Sequence, residues 1–152
     1  MLRDELNEAL KTAMKSKDER AVSTLRMVLA GLKDKDIAAR TKGVTTGISD
    51  DEARQVMQNM IRQRRDSIVM YEKGGRPELV KQESEEIAII ERFLPKQMGA
   101  DEVKAAVQAA MSETGAASLK DMGKVMGVLK QKYAGQMDMS QVGPIVKGLL
   151  GG

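Results

Sequence analysis

Only three of the 152 residues are aromatic: Tyr71, Phe93 and Tyr133. A strand-rich chain of this size draws on aromatic and β-branched side chains to cover its pleated faces. Here Ala, Leu, Met, Lys, Glu, Gln and Arg dominate, all good helix formers. The apolar residues follow at helical spacing, as in Leu119, Met122, Met126, Leu129 and Tyr133, three and four apart. The expected fold is all-α.

Helix ends can be read from turn and cap chemistry. The first helix is expected over about Leu2–Ser16, with Leu2, Leu6, Leu10 and Ala13 on one face. Lys17-Asp18 is a short turn, so a second helix, about Glu19–Thr41, returns antiparallel with Val22, Leu25, Leu29 and Leu32 inward. Gly43 and Gly47 bracket a loop, Val44 to Ile48, read as mobile. Ser49-Asp50-Asp51-Glu52 fits a capping box and starts a third helix bearing Ala53, Met57, Met60, Ile61, Ile68 and Tyr71. Gly74-Gly75 stops it, and Pro77 opens a fourth bearing Leu79, Ile87, Ile90, Phe93 and Leu94.

Pro95, in Phe93-Leu94-Pro95-Lys96, then breaks the chain, because proline cannot continue a helix and biases Leu94 away from one. The composition shifts there from highly charged to Ala-, Gly- and Met-rich. The expected organisation is a four-helix N-terminal domain over 1–95 and a three-helix C-terminal domain over 96–152. In the latter, Asp101–Ser112 ends at Gly115, Ser118-Leu119-Lys120-Asp121 is a second capping box, and Asp138-Met139-Ser140-Gln141 caps the last helix. Pro144 must kink that helix or move its start to Gly143-Pro144.

The chain has no cysteine and no histidine. That excludes disulfides, thiolate and imidazole metal sites, Fe–S clusters and Ser-His or Cys-His catalysis. Only carboxylate chemistry and all-oxygen cation sites survive, and neither a metal nor a cofactor is expected. No P-loop, GxGxxG, EF-hand loop or HExxH occurs. The charged N-terminus is not a signal peptide, and no apolar run approaches the length of a membrane span, so a cytoplasmic protein is expected. The formal charge of +3 is too small to argue nucleic-acid binding by itself.

Four features could carry chemistry. Arg64 falls inside the apolar stripe of the third helix, and Glu83 and Glu86 inside that of the fourth. A hairpin at Gly74-Gly75 brings the three level, as a structural ion pair or, less simply, a paired-carboxylate site. Arg62, Arg64 and Arg65 form a basic cluster without aromatics to stack bases, so a solvated face is the plainer reading. Twelve methionines suggest adaptable core filling more than a binding surface. Gly123 and Gly127 lie inside a helix, each costing about 1 kcal/mol against Ala. They read as bordering the apolar stripe on one side, with Lys120 and Lys124 just beyond. Close helix packing is the plainer account; close approach of an RNA backbone is the functional one.

Two stretches carry a family likeness. One runs Arg64-Arg65-Asp66-Ser67 through Tyr71-Glu72-Lys73-Gly74-Gly75-Arg76 to Glu83, Glu86 and Phe93-Leu94-Pro95. The other is Met122-Gly123-Lys124-Val125-Met126-Gly127, then Asp138, Val142 and Val146-Lys147. Together they resemble the YqeY-like (GatB/YqeY) family over essentially the whole chain. In that family the C-terminal part is similar to the tail of the B subunit of tRNA-dependent amidotransferases, a module also appended to some glutaminyl-tRNA synthetases. The resemblance implies tRNA association, with a synthetase or amidotransferase subunit as partner. It does not imply catalysis: a carbon–nitrogen ligase label inherited through the family would not describe this polypeptide alone. By position, Gly123, Lys124, Gly127 and Lys147 match the tail, and Lys120 joins them on spacing. Gly143-Pro144 departs from the pattern and bears on the geometry of Lys147. The expected function is a non-catalytic tRNA-binding or amidotransferase-associated module. The alternative is a protein–protein adaptor with no RNA role.

Overall fold

The structure, a computed structural model, describes residues 1–151. Among them are seven α-helices, one 3-10 turn and no strand. They group into two compact units, Met1–Pro95 and a second beginning at Lys96.

The first unit holds α1 (Leu2–Ser16), α2 (Glu19–Arg40), α3 (Asp50–Lys73) and α4 (Pro77–Glu91). Lys17 turns the chain out of α1 in the left-handed region (φ 58°), and the Asp18 carboxylate accepts from the Ala21 N–H to cap α2. Ser49 Oγ accepts from the Glu52 N–H at the head of α3. Gly75, at φ +66°, makes the left-handed step between α3 and α4, and Pro77 occupies the first turn of α4, where its missing N–H is not needed. α4 stops at Glu91, so Phe93 and Leu94 pack on the core from the turn that follows it.

Leu6, Val28, Leu32, Met57 and Ile90 are wholly excluded from solvent in this core. Burying each contributes about 2 kcal/mol. On α2 the buried set is Ala21, Thr24, Leu25, Val28 and Leu32, while Val22 and Leu29 flank it. The connection after α2 is pinned at its far end. Asp36 accepts from the Ile48 N–H at 2.8 Å and from Arg3 at 2.6 Å. Gly47, at φ +89°, lies against it, where a Cβ would come within 3.0 Å of the Asp36 carboxylate.

The second unit holds α5 (Ala100–Thr114), a 3-10 turn (Leu119–Asp121), α6 (Met122–Lys132) and α7 (Met139–Gly151). Gln97 donates to the Gly135 carbonyl at 2.7 Å, and the Met98 N–H to the Gln136 carbonyl at 2.9 Å, fastening the start of this unit to the α6–α7 connection. Val107, Val125, Leu129 and Val146 have no exposure and form its core with Val142 and Met137. The Ser118–Asp121 capping box opens the 3-10 turn before α6 begins. Pro144 lies inside α7, which starts at Met139; the Asp138 carboxylate accepts from the Ser140 N–H and hydroxyl just before it.

Candidate nucleic-acid interface

α6 presents two faces. Val125 and Leu129 point into the core, with Met122 and Met126 beside them. Gly127 stands two residues from both Val125 and Leu129, which at 100° per residue puts it on the opposite side. Gly127 therefore faces away from Val125 and Leu129, and Gly123 lies beyond Met126 at the edge of the apolar face; both glycines are exposed, and among the described residues a Cβ on either would meet nothing within 4 Å. Packing within this unit gives no reason for either glycine.

Lys120 and Lys124 are exposed on the same stretch, Lys120 on the 3-10 turn and Lys124 in the first turn of the helix. Between them, Asp121 turns back to accept from the Ala117 and Ser118 N–H groups at 3.0 and 3.3 Å. Those backbone donors, with a smaller contribution from Lys124, hold its carboxyl below the usual carboxylate range. The acid is engaged in local capping and leaves the lysines the dominant charge on this face.

Lys147 comes from α7. Its flank is defined by Gly143 and Gly151, four residues to either side. A Cβ at Gly143 would lie 3.8 Å from the Met122 methyl, and one at Gly151 3.3 Å from Leu119. That flank of α7 therefore packs along the turn carrying Lys120, and exposed Lys147 emerges on the same seam. Gly143, the departure from the family pattern, is the point where Met122 meets α7. Gly148 was missed in the sequence; it too is exposed with nothing within 4 Å. Its signal is the pair Lys147-Gly148, which reverses Gly123-Lys124. Leu119 belongs to the apolar spacing but is 47% exposed.

In the first unit the structure brings Arg64, Glu83 and Glu86 together. Arg64 Nε lies 3.0 Å from Glu86 and 3.9 Å from Glu83, and its Nη1 donates to the Met60 carbonyl. The three side chains are only 13%, 17% and 14% exposed, which makes the contact a partly desolvated pair rather than a surface one. Two partners were not foreseen. Arg20 on α2 reaches Glu85 at 3.3 Å and Glu86 at 3.9 Å, and the Met27 sulfur accepts from Arg64 Nη2. Burial, then the like charge of Glu86, push the Glu83 carboxyl above its usual range against the pull of Arg64. The arginines take up the carboxylates, so the cluster serves as a tie between α2, α3 and α4. Arg65 pairs with Glu91 at the surface. Among the described residues no group of acidic side chains is arranged to hold a metal ion, and no helix is long and apolar enough to cross a membrane.

The model of the Yqey-like protein family matches residues 3–150. This chain belongs to the YqeY-like family. Among curated relatives, the protein named "Altered inheritance of mitochondria protein 41, mitochondrial" of Lachancea thermotolerans is 37% identical over 89 residues, 59% of this chain and 46% of that protein. The protein of the same name in Kluyveromyces lactis is 36% identical over 88 residues, 58% of this chain and 45% of its own. The one in Eremothecium gossypii is 34% identical over 89 residues. The matched portion thus spans less than half the length of these family members. Their names overturn the cytoplasmic expectation: the similar proteins are named mitochondrial. That expectation rested on a charged start and on the lack of a long apolar run, and neither separates the cytosol from an organelle.

Proposed function

We propose that this chain is a non-catalytic, tRNA-binding member of the YqeY-like family that works beside a synthetase or amidotransferase subunit. In this reading residues 1–95 and 96–152 are separate domains of four and three helices, and the second makes the RNA contact. The observation that carries it is the bare outward face of α6. A glycine in the middle of a helix costs about 1 kcal/mol, as at Gly127, and less in the first turn, as at Gly123; among the described residues no neighbour occupies the space above either. A partner that comes close to the backbone would supply the missing reason. Lys120, Lys124 and Lys147 favour a partner of negative charge, and a ridge without side chains suits a sugar–phosphate strand. The resemblance of this segment to the tail of a tRNA-dependent amidotransferase points the same way.

The test is binding of total tRNA across a salt series, with the intact chain and with Lys120→Ala plus Lys124→Ala. Removing each lysine that neutralises a phosphate should weaken binding and flatten the salt slope by roughly one unit. Unchanged affinity and slope would remove the RNA role from this face. The adaptor reading would then move ahead, supported by the exposed Leu119, Ile145 and Leu149 of the same unit.

A further inference from the structure

The first unit contains a cleft that the RNA reading does not use. It lies between the last turns of α2, the 41–49 connection and the first turns of α3, and has a volume of about 420 Å³. That falls in the range of small-molecule sites, roughly 300–1,000 Å³. Its apolar lining includes Ala38 and Ala39 from α2, Ile48 from the connection and Val56 from α3. Lys35 and Lys42 stand on the α2 side, two turns apart. Among the described residues neither ammonium has an ion-pair or hydrogen-bond partner. The one carboxylate in the lining, Glu52, lies 3.3 Å from Ser49 Oγ at the helix cap.

The wall is built in place. Asp36 fixes the Ile48 backbone and is itself held by Arg3, and the left-handed Gly47 lets the chain pass against it. Two long cationic arms at the mouth of a fixed apolar concavity define the complementary ligand. We propose that this cleft binds a small carboxylate-headed amphiphile, its apolar body over Ala38, Ala39, Ile48 and Val56 and its headgroup met by Lys35 and Lys42. The flexible lysine stems let both ammonium groups converge on one headgroup. An RNA strand fits less well, because it would leave the apolar lining unused and finds no aromatic there to stack on.

The test follows amide signals of the full ¹⁵N-labelled chain during titration with sodium octanoate, octylammonium and total tRNA. Octanoate, below its micellar concentration, should saturably shift Ala38, Ala39, Ile48 and Val56. Octylammonium should bind roughly tenfold more weakly or worse, and Lys35→Gln with Lys42→Gln should weaken octanoate by a similar factor. Ala38→Phe, which fills an exposed position in the cleft, should abolish the octanoate shifts while the signals of Leu6 and Ile90 stay in place. The proposal fails if octanoate gives no saturable shift at these amides, or if both octyl compounds bind equally. It also fails if the lysine substitutions change nothing, or if tRNA moves these signals and octanoate does not.

Discussion

Gly127→Ala separates an outward ridge from a packed one by the sign of a single measurement. Gly127 is central in α6, and its added methyl would meet nothing within 4 Å. The substitution therefore removes the backbone-entropy cost of glycine without adding a clash, and should stabilise by about 0.5–1 kcal/mol. For a small domain, 1 kcal/mol is roughly 4–8 °C in Tm, so α6-containing material should melt about 2–8 °C higher by circular dichroism. Gly47→Ala is the control of opposite sign, since its left-handed backbone (φ +89°) strains any side chain and its Cβ would lie 3.0 Å from the Asp36 carboxylate. If the ridge also receives an RNA backbone, Gly127→Ala weakens tRNA binding in the same preparation that melts higher. A lowered Tm for Gly127→Ala would show that the ridge is packed and would refute the reasoning.

Three further outcomes follow from the first unit and its boundary. Limited tryptic digestion should cut at Lys96 or Lys42 before Arg62 or Arg65, and the cut after Lys96 should leave a folded fragment from Gln97 onward; early cleavage within α3 would contradict a continuous packed helix. Glu86→Gln should cost about 1–3 kcal/mol in urea unfolding, because partly buried Arg64 then keeps only Glu83, at 3.9 Å, as a charged partner, whereas Glu83→Gln should cost less at neutral pH. The folded-state pKa of Glu83 is raised, so its contribution is favourable below the unfolded carboxylate pKa and is lost as pH rises through the folded value; the wild type should therefore lose its advantage over Glu83→Gln across that window, and a growing advantage would contradict it. Thr24→Val should raise stability by about 1 kcal/mol in the same assay, because the buried Thr24 hydroxyl has no hydrogen-bond partner among the described residues.

What the sequence revealed depended on how local the signal was. The α3–α4 hairpin was readable because Gly74-Gly75 and Pro77 act within one turn, and it placed Arg64 level with Glu83 and Glu86 by counting alone. Arg20 was not readable as a member of that cluster: it is 65 residues from Glu85, and only the packing of α2 against α4 brings them together. Asp36 looked like part of a charged run without a face. Its role depends on Arg3 and Ile48 arriving from either side of the chain. The cap at Ser118 was legible, but cap chemistry does not distinguish a 3-10 turn from the first turn of α6. The glycines of α6 were found by their cost; that no described neighbour lies over them depends on how α5 and α7 pack, which spacing within α6 does not carry, and Leu119, taken as core, is 47% exposed for the same reason.

The tie between α2, α3 and α4 includes one soft atom. Arg64 gives one of its N–H groups to the thioether of Met27, in a chain with no cysteine to take up oxidants. Oxidation of that sulfur to a sulfoxide would replace a weak acceptor by a strong one and extend it by an oxygen. Nη2 lies only 2.6 Å from that sulfur, so the added oxygen would displace the guanidinium from its place between Met27 and Glu86. Oxidative damage at this position would redistribute charge among three helices without touching a single ionisable group.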